Sequence, residues 1–256
     1  MKTLVAILAA SMVLTGSQLL AQSAPEQTTP VPLTSEHHHH LVFTSPQVRA
    51  FYVVLPVEDR TLVHQHDFDY LWVGLGDADV INATVNKPQV RLHSKDGALH
   101  FARGPFAHAA INVGDTVYRN VTVELLQKQD NPRNLCEEVL EGKPMHCAPA
   151  TAGRFSEGAG VTVRPDFTTD EIEFDTVTVA AGAKVTVSAA AVPPFVITLL
   201  KSDAKAQPDS DASASQGARR LKAGDVISAK TNTPLVLRNT GAGPARFLVF
   251  EFLGKS

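Results

Sequence analysis

From about residue 40 onward, apolar and polar positions alternate in runs of four to eight residues, and clusters of turn formers separate the runs. That pattern predicts strands over 41–43, 48–55, 61–66, 70–75, 78–85, 90–93, 98–102, 106–113 and 117–126. The separators are Pro56-Val57-Glu58-Asp59, Gly76-Asp77-Ala78-Asp79, Asn86-Lys87-Pro88 and Lys95-Asp96-Gly97. The stretch 128–160 breaks the rhythm and reads as a linker. A second series follows over 161–163, 171–179, 184–187, 195–200, 225–229, 235–238 and 245–252. Short strands at this spacing predict an all-β chain built from two sandwiches or small barrels, over 37–127 and 161–256. Residues 25–36, rich in Pro, Thr, Ser and Gln, predict a flexible leader. The Ala/Ser/Asp-rich stretch 203–217 predicts a disordered loop.

The two series are related by a fixed offset. Gly97, His108, Asn112, Gly114, Arg119 and Glu124 precede Gly224, Leu235, Asn239, Gly241, Arg246 and Glu251 by 127 residues each (224 − 97 = 251 − 124 = 127). Residue type differs only where His108 becomes Leu235, which points to a duplicated unit. Aligning Tyr70 with Phe195 sets Ala189 and Ala191 opposite His64 and His66. The second copy therefore lacks every candidate ligand. Survival of the Asn in both copies assigns it a structural role, as a bond to a turn, and the repeated Arg119 and Arg246 read as fold elements.

The chemistry concentrates in the first copy. His64 and His66 alternate on one strand, so both imidazoles face the same side. His108 lies on a second strand that also carries Phe106, Ala110 and Asn112 on one face. Imidazole is a versatile ligand for divalent transition metals, and a carboxylate follows at once in Asp67 or Asp69. The plainer reading is a metal-free ligand pocket. Phe68, Tyr70 and Trp72 lie close in sequence and are read as pocket walls or simply as core. The run His37-His38-His39-His40 reads as a solvated segment that gathers stray metal, and His93, His100 and His146 as surface residues. Asn82-Ala83-Thr84 and Asn120-Val121-Thr122 match the glycosylation pattern but fall within predicted strands, which argues against modification.

These motifs resemble the cupin superfamily. Gly97, Arg103, Pro105, His108 and Asn112 match the spacing of its second motif, with Arg103 and Pro105 in place of the usual Pro and Gly. His64, His66 and Gly76 match the first; Glu58 stands where a leading Gly is usual, and the ligand carboxylate falls on Asp69, one residue early. The resemblance spans nearly the whole chain beyond its N-terminus. It implies two tandem antiparallel β-barrels of the jelly-roll or double-stranded β-helix type, a metal-type first barrel and a degenerate second. It also implies one divalent transition metal (Mn, Fe, Zn, Ni or Cu) on His64, His66, Asp69 and His108. A mononuclear metalloenzyme of dioxygenase or isomerase type acting on a small molecule is the leading expectation. A non-enzymatic binder of a small ligand or metal is the alternative. No residue beyond Asp69, Asp67 or Glu58 offers itself as a general base, so no catalytic residue is assigned.

Composition adds boundaries. A net charge of −3 gives no reason to expect nucleic acid. Lys2, the apolar run 4–14 and the small residues that follow read as a signal peptide over 1–24, which leaves no membrane anchor after cleavage and predicts a secreted or periplasmic protein. In that compartment Cys136 and Cys147 predict a disulfide that pins the linker and stabilises it by about 3 kcal/mol. Packing of the barrels on one another, or across a homodimer, is open at this stage.

Overall fold

The computed structural model describes residues 29–150, 153–156, 158–199, 204–208 and 219–253. The expected signal peptide lies outside them. The first half contains β1 (Val31–Pro32), β2 (His39–Thr44), β3 (Val48–Leu55), β4 (His64–His66), β5 (Asp69–Gly74), β6 (Ala78–Thr84), β7 (Val90–Ser94), β8 (Leu99–Ala102), β9 (Phe106–Asn112) and β10 (Tyr118–Leu125). They form two five-stranded sheets, β1-β4-β9-β6-β7 and β2-β3-β10-β5-β8. The second half contains β11 (Arg133–Asn134), β12 (Phe155–Ser156), β13 (Val161–Thr168), β14 (Ile172–Val179), β15 (Lys184–Val187), β16 (Phe195–Thr198), β17 (Ala204–Pro208), β18 (Arg219–Leu221), β19 (Val226–Ser228), β20 (Leu235–Asn239) and β21 (Ala245–Phe252). Its sheets run β11-β13-β14-β21-β16-β19 and β12-β15-β20-β17-β18. Each half is thus a double-sheet jelly roll. The strands pair antiparallel except for β1 on β4, where Val31 lies opposite His64.

Period-two alternation gives each inner strand two distinct faces. On β10, Val121, Val123 and Leu125 point outward, while Tyr118, Asn120 and Thr122 line the interior of the first half. On β5, Leu71 and Val73 point outward and Tyr70 and Trp72 inward. The outward apolar face meets Phe167, Phe174, Phe195, Ile197, Leu248 and Phe250 of the second half in one continuous core, and Phe43 stacks on Phe195 at 5.4 Å. The two halves therefore pack on one another within the chain. The interior of the second half is a separate apolar core of Val177, Val185, Val187, Leu235, Leu237 and Phe247.

The repeated residues carry the joint and the turns. Asn112 donates to the carbonyls of Leu55 and Thr116 and accepts from Gly114 N–H. Asn239 does the same with Val179, Gly243 and Gly241. The structural reading of this Asn holds in both copies. Gly97 and Gly224 adopt φ of +74° and +86°, and a Cβ there would strike the Arg246 guanidinium and the Tyr52 ring respectively. Each is a turn glycine pressed by a side chain from the other half. Arg246 also donates to the Asp96 carbonyl and carboxylate at 3.3 Å, which makes it an interface residue.

Three sequence expectations are corrected. Residues 31–36, assigned to a flexible leader, form β1 and a 3-10 turn (Leu33–Ser35), with Leu33 and Glu36 buried. Part of the expected disordered loop is β17, paired with both β18 and β20; residues 209–218 lie outside the description. The alignment of His64 with Ala189 is two residues out: His64 pairs with His108, and Val187 pairs with Leu235. The disulfide joins Cys136 to Cys147, in a segment that contributes Val139 to the shared core and β11 to the edge of the second half.

Candidate metal centre

The first half keeps polar residues where the second has apolar ones. β4 is so short that its whole length serves the site: His64 and His66 are both buried, and Gln65 between them turns away. β9 runs antiparallel to it and sets His108 directly opposite His64. One ligand atom from each of the three histidines lies within 4.8 Å of the others. His66 Nε2 and His108 Nε2 stand 3.1 Å apart. Nitrogens around one four-coordinate ion with bonds of about 2.05 Å stand roughly 3.3 Å from each other, so the cluster is already close to ligand geometry.

Second partners fix which nitrogen each ring offers. His64 Nδ1 donates to the Leu62 carbonyl at 2.9 Å, and His108 Nδ1 donates to Asn82 Oδ1 at 2.7 Å. Both rings therefore present Nε2 as a lone pair. His64 Nε2 and His66 Nδ1 are buried without a hydrogen-bond partner. An orphaned imidazole nitrogen beside two others, in a buried site, is the arrangement a divalent cation completes. Tyr70 stacks on the His66 ring at 4.1 Å and holds its plane.

Burial lowers the proton affinity of all three rings. His64 is brought down to about 4, by burial first and then by the neighbouring His39. His66 and His108 lie well below the usual imidazole value, by burial and then by each ring's histidine neighbours. Neutral imidazoles are the ligand-competent form near neutral pH.

A cavity of about 60 Å³ opens on these rings. Its walls include Val53, Val80, Ile81, Leu92, Tyr70, Trp72 and Tyr118, with Thr61, Asn82, Asn120 and Thr122 as the polar points. Phe68, read as a wall, instead lies beneath the Arg49 guanidinium, 5.6 Å from it. No carboxylate is among the lining residues.

Asp69 is placed elsewhere. It sits on the outward face of β5, next to the inward Tyr70. Its carboxylate accepts from Arg103 Nη1 at 2.7 Å and from the backbone N–H groups of Gly104 and Gln129. That network ties the strand to the loop after β10, and Asp69 does not join the histidine cluster. Asp67 and Glu58 do not line the cavity either.

Sequence reasoning missed the residues that lead into and open β2. The solvated reading of the 37–40 run applies to His37 and His40, while His38 and the His39 side chain are buried. Glu36, also buried, accepts from Leu62 N–H, His38 N–H, His38 Nδ1 and, at 2.5 Å, His39 Nδ1. Burial pushes this carboxyl up, but those bonds and the electrostatic influence of the adjacent His39 ring outweigh it and bring it down to about 2. His39 lines the cavity, its ring 4.7 Å from that of His64. Glu36, His37 and His38 form a second cluster within 4.8 Å, and His38 Nε2 reaches Asp59 at 3.2 Å. Among the sequence-level surface histidines, His100 is half-buried and stacked on Trp72 at 4.0 Å.

No protein-family profile and no curated protein matches the chain in sequence. Its backbone does match solved structures. AerE from Microcystis aeruginosa aligns with a TM-score of 0.53 at 9% identity, over 84% of this chain and 97% of that one. A cupin 2 conserved barrel domain protein from Leptotrichia buccalis aligns at 0.49 and 8%, over 84% and 88%. Oxalate decarboxylase of Lactobacillus farciminis, in its formate complex, aligns at 0.48 and 14%, over 81% and 77%. The likeness is one of fold: the chain shares the backbone architecture of AerE.

Proposed function

We propose that this cupin-fold chain is an exported metalloprotein whose first half holds one divalent transition metal on His64, His66 and His108 and acts there on a small molecule. The observation that carries the reading is the convergence of three imidazoles, two buried and one half-buried, two of them fixed by outer partners to offer Nε2, around an orphaned nitrogen. With three protein ligands, a bound ion supplies Lewis acidity and open positions for water or a substrate oxygen. The chain's residues do the rest. Leu62 and Asn82 hold ring orientation, Tyr70 stacks against His66, and the apolar walls keep bulk water from the reacting atoms.

The second half supports the first as a packing partner. Val187 and Leu235 occupy the positions equivalent to His64 and His108 and are buried in its core. Export is supported by the basic and apolar N-terminus together with the Cys136–Cys147 disulfide. Among the described residues no helix is long and apolar enough to cross a membrane. The lack of a carboxylate in the cavity favours a second reading, capture of a small ligand without turnover.

Metal analysis of the mature protein beside a His64→Ala/His108→Ala variant tests the proposal. One equivalent per chain in the wild type and none in the variant is expected; equal content in both overturns it. Turnover of small oxygen-bearing substrates then separates the enzyme from the binder.

A further inference from the structure

The cavity holds a fourth imidazole whose role is separate from the three that converge. His39 lines the same space, yet its ligand atoms do not join the cluster of His64, His66 and His108. Its Nδ1–H is committed to Glu36, whose other partners (Leu62 N–H, His38 N–H and His38 Nδ1) all donate as well, so the carboxylate acts purely as an acceptor. A ring donating through Nδ1 to a carboxylate is left with Nε2 as an acceptor. Glu36 is buried and held by two backbone N–H groups, so it is a fixed anchor.

Size and charge narrow what His39 meets. A cavity of about 60 Å³ accommodates roughly four to six water-sized atoms. A divalent ion on three neutral imidazoles keeps both positive charges, and the cavity lining offers no carboxylate against them. Glu36, behind His39, offsets one. A single negative charge on the ligand balances the other.

We infer that His39, oriented by Glu36, is a recognition residue that accepts a hydrogen bond from a hydroxyl or N–H of a small monoanionic ligand whose neighbouring oxygen occupies the metal. The inference rests on the metal reading of the site. Its ligand class is a short 2-hydroxy acid or a comparable acid carrying a donor beside its carboxylate. Neutral molecules of the same size leave the charge unbalanced, and acids without the donor leave Nε2 unused.

Cobalt(II)-loaded protein tests this by its visible spectrum, with glycolate, acetate and ethylene glycol as probes. The expected result has three parts. Ethylene glycol leaves the spectrum unchanged at concentrations where both acids shift it. The ratio of glycolate to acetate affinity falls about tenfold in His39→Leu. His39→Gln, whose side-chain carbonyl accepts again, recovers part of that ratio. Cobalt stoichiometry, measured first, reports on the metal reading separately: less than one ion in the wild type overturns both readings. One ion in the wild type and in His39→Leu with an unchanged ratio, or binding of ethylene glycol on a par with the acids, overturns this inference alone.

Discussion

Replacing Asn82 by Ala tests the outer partners of the site without touching a ligand. Asn82 lies on β6, two residues from the Thr84–His108 pair, and its Oδ1 accepts a hydrogen bond from His108 Nδ1 at 2.7 Å. Without that acceptor the ring loses a bond worth about 1 kcal/mol net and is free to rotate or to protonate at Nε2 instead. Removal of such an outer partner typically weakens a metal site 10- to 100-fold, or about 1.4–2.7 kcal/mol. The assay is competition for zinc against a chelator of known affinity at pH 7.5. Asn82→Ala should weaken zinc by that factor, while Asn82→Asp, which keeps the acceptor, should bind at least as tightly as wild type. An Asn82→Ala affinity within twofold of wild type refutes the outer-partner reasoning.

The other predictions address ligand identity, turns and pH. Asp69→Asn should leave one metal ion per chain and cost about 1–2 kcal/mol in chemical denaturation, because its partners are Arg103 and two backbone N–H groups; loss of the metal would restore Asp69 as a ligand. Asn112→Ala and Asn239→Ala should each cost about 2–4 kcal/mol, since each removes three matched hydrogen bonds at a buried turn. In metal-free protein, His64 titrates near 4 folded and near 6.5 unfolded, so the unfolded chain binds more protons between those values. Stability should then rise with pH across that window, by about 3 kcal/mol from this residue, and be lost again on acidification. A His64→Leu variant that melts with the same pH slope in this range would contradict that. Asp175 has the opposite sign. Burial, followed by Glu173, raises it to about 8 against the pull of Arg154. The folded state therefore holds the extra proton and loses stability as pH climbs from about 4 toward 8. Asp175→Asn should gain about 1–3 kcal/mol at pH 8 relative to pH 5.

Residues whose role follows strand periodicity were legible in the sequence. His64 and His66 share a face by period two, and β9 supplies His108 on the facing strand. The repeat with offset 127 marked Asn112 and Asn239 as turn residues before any contact was known. Legibility failed where pairing or burial of polar groups decides the matter. Asp69 lies three residues past His66, but a new strand starts there, and Tyr70 rather than Asp69 takes the inward face. The Val187–Leu235 register is hidden because the segment after β15 differs in length from that after β4, so a gap-free offset does not carry across. Glu36, His38 and His39 resembled a hydrophilic run because no apolar periodicity marks them. Their burial depends on β1 joining β4 and on a carboxylate meeting several donors at once. The ion cluster of Arg154 with Glu173, Asp175 and Glu251 was likewise invisible, since charged residues on strands ordinarily read as exposed.

The central claim is the position of the metal, and anomalous diffraction at the absorption edge of the ion found in the purified protein locates it directly. The account predicts one peak about 2.0–2.3 Å from Nε2 of His64, His66 and His108, with Asp69 still bound to Arg103. A peak on Glu36, His37 and His38 instead, or an ion-loaded crystal with no peak between the three rings, would contradict it.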